Sequence, residues 1–156
     1  PQQPEVPVAE LTEKRLSSLP PQQLAWVATS EEVPVDTLRS AIGVIAEQRG
    51  LDFTRLLASL SRHDDFRVRV DAMKGLQKNP HASRDEALQA LAARLDDQDF
   101  LVRAFAAKIL GEIQNPGARK YLLARRDSES NEKVIQQIDK ALESLGAGSP
   151  SGEVAR

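Results

Sequence analysis

The chain contains the same helical pattern twice. "DDFRVRVDAMKGL" begins at Asp64 and "QDFLVRAFAAKIL" begins at Gln98, with Asp-Phe, Val-Arg, Ala and Leu at matching places. A weaker third copy contains Val134, which follows Val102 at nearly the spacing that separates Val102 from Val68. A helix pair of about 30–35 residues has two apolar faces and cannot bury both alone, so copies must stack. The repeat predicts an all-α fold: an α-solenoid, wound as a right-handed superhelix, of about three to four stacked antiparallel helix pairs.

The second helix of each pair shows one apolar face and one capping position. Val68, Val102 and Val134 are followed four and eight residues later by Ala72 and Leu76, Ala106 and Leu110, and Ile138 and Leu142. These spacings place the set on one helical face. A short polar side chain three residues before each valine can cap the first turn; these are Asp65, Asp99 and Asn131. The pattern predicts long helices near 65–78, 99–113 and 130–145, with shorter partners near 52–61, 84–95 and 116–125.

A degenerate copy precedes these three. Arg39 precedes Arg69 by nearly one repeat length, which aligns "VDTLRSAIGVIAEQR" with the later long helices. This helix is predicted to stop at Gly50 in the left-handed conformation, and "PQQLAWVATS" is its predicted partner. We predict a single domain over 11–146, with capping helices over 11–50 and repeats over 51–80, 81–114 and 115–146. Residues 1–10 are expected to form an extended or disordered lead-in, and residues 147–156 a disordered tail.

The repeated motif Asp-x-x-Val-Arg-x-x-Ala-x-x-x-Leu, from Asp65 to Leu76 and from Asp99 to Leu110, resembles the HEAT-repeat family. The similarity is greatest to the short, Ala-rich bacterial form related to phycobilisome-lyase HEAT-like repeats, and it covers roughly residues 35–146. In that family the arginine after the valine commonly bonds Asp side chains near the turns between repeats. The resemblance therefore implies a structural, inter-repeat role for a set of four residues: Asp65, Arg69, Asp99 and Arg103. The third copy has Ile135 at the arginine position, as expected of a terminal repeat.

The sequence carries no signature of catalysis or of metal binding. It has no cysteine, which excludes a thiol nucleophile, a cysteine-ligated zinc and an iron–sulfur cluster. It also lacks a Gly-rich phosphate loop, Gly-x-Ser-x-Gly and His-Glu-x-x-His. His63 and His81 lie in connectors without a neighbouring ligand pair. We therefore expect no catalytic residue, no cofactor and no metal, and we keep a chromophore-lyase-like or other HEAT-fold enzyme as the alternative.

Lysines recur at one exposed position of the long helices. Lys74, Lys108 and Lys140 each lie six residues after the aligned valine, about 140° from the centre of the apolar face. Lys78 follows one turn after Lys74, and Phe105 lies at an edge that leans toward solvent. This predicts a binding surface on the concave face for another protein, with an acidic or amphipathic segment as the bound part. The alternative is that these lysines only keep the helices soluble, through local pairs such as Asp71–Lys74 and Lys108–Glu112.

A second basic patch is predicted on the short helix that precedes the last long one; its members are Arg119, Lys120, Arg125 and Arg126. Binding of an anion or nucleic acid through the basic middle of the chain is a further alternative, disfavoured by acidic flanks and a net charge of −2.

No apolar run approaches the roughly 20 residues of a transmembrane helix. The last repeat has no further neighbour to cover its apolar positions, which would permit a homodimer through this end. We expect a cytoplasmic location, with the cell envelope as the alternative if a leader was removed before Pro1.

Overall fold

A computed structural model describes residues 2–79 and 84–147, and every regular element in these ranges is a helix. The α-helices are α1 (Glu13–Ser17), α2 (Pro21–Thr29), α3 (Val35–Glu47), α4 (Thr54–Leu60), α5 (Phe66–Lys78), α6 (Arg84–Ala93), α7 (Phe100–Glu112), α8 (Ala118–Ser128) and α9 (Glu132–Ala147). Short 3-10 helices cover Val8–Glu10 and Arg94–Asp96. The predicted all-α class is confirmed. Within the described ranges, no helix is both long and apolar enough to span a bilayer.

The chain divides into two compact units, Pro1–Ala87 and Leu88–Arg156. In the first unit, α3 packs against α5, α4 packs against α5, and both α1 and α2 pack against α3. In the second unit, α7 packs against α9, and α8 also contacts α9. Each unit therefore has a core between two long helices, with shorter helices packed against that pair.

The predicted capping residues begin the long helices. The Asp65 carboxylate accepts the amide of Arg67 at 2.9 Å, and the Asp99 carboxylate accepts the amide of Leu101 at 2.8 Å. Asn131 accepts the amide of Lys133 at 3.0 Å. Each cap satisfies an amide that the first turn of a helix leaves without an internal partner. The short polar residues before the repeated valines thus set where α5, α7 and α9 start.

The alignment of Arg39 with Arg69 is wrong by one position. The N-terminal cap of α3 is Pro34 and that of α5 is Asp65, and counting from these caps makes Leu38 the equivalent of Arg69. Burial gives the same register, because α3 and α7 both bury the residues 7, 8, 10, 11 and 12 positions after their caps. Arg39 lies one position further, on the solvent side. The two arginines lie on different faces of their helices, so aligning them shifts the register by one residue.

Three further expectations are corrected at the ends of elements. Helix α3 ends at Glu47, its cap Gln48 is extended, and no described glycine has a positive φ, so Gly50 is not a left-handed cap. Leu142 is only half-buried, whereas the other apolar residues of the predicted face are buried. The lead-in is partly packed, because Pro4 is buried and Val8–Glu10 form a 3-10 helix. The tail beyond residue 147 lies outside the described residues.

Candidate interaction surface

Each of the four long helices has an exposed stripe at equivalent positions. It consists of the residues 2, 6, 9 and 13 positions after the N-terminal cap, which fall within about 60° of one another around a helix. All of them are exposed or half-buried. We call this set the long-helix stripe; its members are Asp36, Ser40, Gly43 and Glu47 in α3, Arg67, Asp71, Lys74 and Lys78 in α5, Leu101, Phe105, Lys108 and Glu112 in α7, and Lys133, Gln137, Lys140 and Ser144 in α9.

All five residues predicted to bind a partner lie in the long-helix stripe: Lys74, Lys78, Phe105, Lys108 and Lys140. The four lysines are exposed and Phe105 is half-buried. The local pairs of the alternative interpretation also form, since Lys74 lies 3.8 Å from Asp71 and Lys108 lies 3.9 Å from Glu112. Both lysine side chains keep about half of their area exposed, at 52% and 53%. Exposed ion pairs of this kind stabilise a protein by roughly 0–1 kcal/mol. Exchanging them for contacts with a bound partner would therefore cost little free energy.

In the first unit, ion pairs connect the α3 and α5 parts of the stripe. Lys78 donates to the Glu47 carboxylate at 2.9 Å, and this hydrogen bond lowers the pKa of Glu47. At the other end of the helices, Arg67 lies 3.8 Å from Asp36. Between them, Arg39 donates to Asp71 at 2.7 Å. The two helices are therefore linked by charge at both ends and near the middle.

A groove of about 320 Å³ opens on this side of α3 and α5, and we call it the α3–α5 groove. Four of its lining residues are small or apolar: Ile42, Gly43, Ala46 and Gly75. The other six are charged: Glu13, Arg39, Glu47, Asp71, Lys74 and Lys78. A second recess of about 260 Å³ shares Ala46, Glu47 and Lys78 and adds Arg49. None of these lining residues is aromatic.

In the second unit the stripe carries two apolar side chains and three lysines beside polar residues and Glu112. Leu101 has 51% of its area exposed and lies one helical turn before Phe105. The ammonium nitrogen of Lys108 lies 5.9 Å from the centroid of the Phe105 ring, within the range of a cation–π contact. Lys133 and Lys140 are exposed on the neighbouring helix α9. This combination of apolar and cationic groups suits a ligand with both apolar and acidic side chains.

The repeated arginines hold the turns that precede the long helices. Arg69 donates to the backbone carbonyls of His63 and Asp64, both at 2.9 Å. Arg103 donates to the carbonyl of Asp97 at 2.9 Å and to the carboxylate of Glu129 at 2.9 Å. The resemblance implied aspartate side chains as acceptors, whereas the carboxylate at Arg103 belongs to a glutamate 26 residues later. The identity of this acceptor could not be read from the motif.

Glu129 joins α7, α8 and the turn before α9. Its side chain is 1% exposed and accepts hydrogen bonds from Arg103 and from Arg125, each at 2.9 Å. It also accepts the amides of Ser130 at 3.1 Å and Asn131 at 3.0 Å. Burial raises the pKa of this carboxyl, but hydrogen bonds from Arg103, the Asn131 amide and Arg125 outweigh it and lower the pKa to about 2. The side chain is therefore a buried anion between two guanidinium groups.

This arrangement divides the predicted second basic patch. Arg125 is bound to Glu129 and also donates to Asp96 at 3.1 Å, and Arg126 donates to Asp139. Arg119 and Lys120 are exposed, and the Lys120 ammonium lies 4.9 Å from the centroid of the Tyr121 ring. The four side chains thus occupy two different environments.

Two residues before each cap lies a hydrogen-bond acceptor that was not predicted from the sequence. His63 accepts the amide of Asp65 through Nδ1, Asp97 accepts the amide of Asp99, and Glu129 accepts the amide of Asn131, all at 3.0 Å. The signal in the sequence is a polar residue at this spacing in all three copies. His63 thus serves a turn, and His81 lies outside the described residues. Residues 2–79 and 84–147 contain no cluster of three or more metal-ligating side chains.

Comparison with known proteins agrees with this repeat architecture. A family model described as HEAT repeats matches residues 53–143. The chain is also similar to the phycocyanobilin lyase subunit beta of Thermosynechococcus vestitus, with 29% identity over 108 residues. That alignment covers 69% of this chain and 49% of the relative, so the chain spans about half of the relative's length. The family match confirms the predicted resemblance.

Proposed function

This chain belongs to the HEAT-repeat family, and we propose that it is a non-catalytic interaction module, a scaffold or adaptor that binds a partner protein through the long-helix stripe. The observation that carries the proposal is that, within each unit taken by itself, the candidate side chains are exposed or half-buried on the long helices. Helical-repeat proteins use extended surfaces formed by equivalent positions of successive repeats to bind ligands. A scaffold requires such a surface and no converging catalytic groups.

The chemistry of the stripe favours an acidic, amphipathic partner segment. Leu101 and Phe105 supply apolar area that a ligand can cover, and aromatic side chains, phenylalanine among them, are enriched in protein–protein interfaces. Lys108 and Lys140 supply positive charge beside it. The exposed pair of Lys108 with Glu112 costs little to rearrange. An acidic partner therefore gains charge complementarity without breaking a buried contact.

The second candidate is a role in chromophore attachment, favoured by the similarity to a phycocyanobilin lyase subunit. A planar chromophore is usually held by apolar and aromatic side chains. Among the described residues that line the α3–α5 groove, most are charged and none is aromatic. Adding phycocyanobilin to the purified protein tests this candidate: the scaffold proposal expects the absorbance spectrum of the free pigment, and a shifted, saturable spectrum would favour the lyase role.

A capture experiment tests the scaffold proposal. Wild-type protein and a Lys74/Lys108/Lys140→Glu variant are used as baits in nuclease-treated lysate, so that nucleic acid cannot bridge two proteins. A matched control with the same change of charge carries Lys14/Arg55/Arg62→Glu, at exposed positions outside the stripe. We expect a protein retained by wild type and control and lost by the stripe variant. Equal recovery on all three baits would refute binding through the stripe.

A further inference from the structure

Gly43 lies in the interior of α3, where neither packing nor backbone conformation requires a glycine. It occupies the position of the long-helix stripe at which α5, α7 and α9 carry Lys74, Lys108 and Lys140. A glycine in a helix interior destabilises by about 1 kcal/mol relative to alanine. The glycines of α5 and α7 have a steric reason. A Cβ at Gly75 would lie 2.8 Å from the Leu57 side chain, and one at Gly111 would lie 2.8 Å from the backbone of Ala141.

No such reason exists at Gly43 within the described residues. A Cβ built there would meet no heavy atom within 4 Å, and no described glycine has a positive φ. Packing and backbone conformation would therefore both accept a side chain. A helix-interior glycine with open space above it allows the backbone of another molecule to approach closely. At this position a lysine would fill the groove that Gly43 leaves open.

The surroundings of Gly43 indicate which molecule fits. The lining of the groove and its adjoining recess contains four cationic side chains (Arg39, Arg49, Lys74 and Lys78) and three carboxylates (Glu13, Glu47 and Asp71). The Lys78–Glu47 pair is 60% and 65% exposed, so exchange of its partner costs little. From Arg39 to Glu47 the helix rises about 12 Å, which matches roughly two turns of a second helix.

We propose that the α3–α5 groove binds an acidic helical segment of a partner protein, with small side chains packed over Gly43 and carboxylates paired with Lys74 and Lys78. This inference rests on the proposed function and names the partner class for the first unit. A helix in a groove between two helices is a common mode of peptide recognition, and its specificity comes from a few anchoring positions. Here the anchors are the open backbone at Gly43 and the cations beside it.

The test uses a defined probe. A synthetic peptide of about 16 residues, long enough for four helical turns, carries alanine on one face and glutamate on the flanks. A second peptide has lysine in place of every glutamate. Each is titrated into ¹⁵N-labelled protein, and amide shifts are followed by NMR. We expect the acidic peptide to shift the signals of Gly43, Lys74 and Lys78, and the basic peptide to leave them unchanged.

Substitutions separate the groove from the rest of the stripe. Gly43→Leu should weaken binding of the acidic peptide about tenfold or more, whereas Gln89→Leu, at an exposed position of α6, should leave it unchanged. Circular dichroism confirms that each variant is folded. Unchanged affinity of Gly43→Leu for the acidic peptide, or equal shifts with the basic peptide, would refute binding of an acidic helix in the α3–α5 groove. Shifts confined to Phe105, Lys108 and Lys140 would also overturn it while leaving the proposed function intact.

Discussion

Replacing Glu129 by glutamine removes one buried charge from the second unit with little change of shape. The glutamine oxygen can still accept the amides of Ser130 and Asn131. Its NH₂ group would instead face the guanidinium donors of Arg103 or Arg125, whose side chains are only 14% and 20% exposed. Both cations would then remain largely buried without the carboxylate between them. Removing only one partner of a buried ion pair is strongly destabilising, because it leaves buried charge uncompensated.

The expected cost follows from the pKa of Glu129. Folding lowers it from an ordinary value of 4.5 to about 2, and each pKa unit corresponds to about 1.4 kcal/mol. The charged form is thus favoured in the folded protein by about 3 kcal/mol, at the lower end of the ~3–5 kcal/mol seen when buried pairs are broken. We expect Glu129→Gln to lower the free energy of unfolding by about 3 kcal/mol at neutral pH.

The lowered pKa of Glu129 also fixes how this stabilisation depends on pH. Because the folded pKa lies below the unfolded one, the carboxylate stabilises the protein fully above pH 4.5, and this contribution is lost as pH falls to about 2. The difference between wild type and Glu129→Gln should therefore shrink over that window.

Urea unfolding followed by circular dichroism at a series of pH values measures the difference. Glu143→Gln, on the exposed side of α9, is the matched control and should stay within about 0.5 kcal/mol of wild type. A loss below about 1 kcal/mol at neutral pH, or one that persists undiminished in acid, would refute the argument.

Five other substitutions, at four positions, probe packing and backbone conformation. Leu110→Ala truncates a fully buried side chain and should cost about 2–5 kcal/mol in urea unfolding; a cost near zero would show that the register of α7 is wrong. Gly43→Ala should stabilise by about 1 kcal/mol, whereas Gly111→Ala should destabilise because its methyl group meets Ala141; calorimetry showing equal effects would contradict this contrast. Gln114, with φ of 51°, should tolerate glycine better than alanine by about 1 kcal/mol, and the reverse order of melting temperatures would exclude backbone strain there.

Part of the candidate surface could be predicted from the sequence because it depends on helical periodicity. The recurrence of Lys74, Lys108 and Lys140 at one offset is a property of spacing, and the structure places all three on the exposed stripe. The groove could not be predicted, since it depends on how closely α3 approaches α5. Gly43 carried no signal by itself, because a glycine in a helical pattern does not reveal whether its surroundings are filled or open.

The sequence by itself determined the helical class, the repeat and the starts of the long helices, because periodicity and capping act over a few residues. Asp65 and Asp99 cap whichever helix follows them. The tertiary structure alone decided the acceptor of Arg103, which lies 26 residues away in Glu129, and the role of Arg39, which reaches Asp71 over 32 residues. Such contacts depend on which turns and faces meet when helices pack, and many pairings at that separation are compatible with the same local pattern.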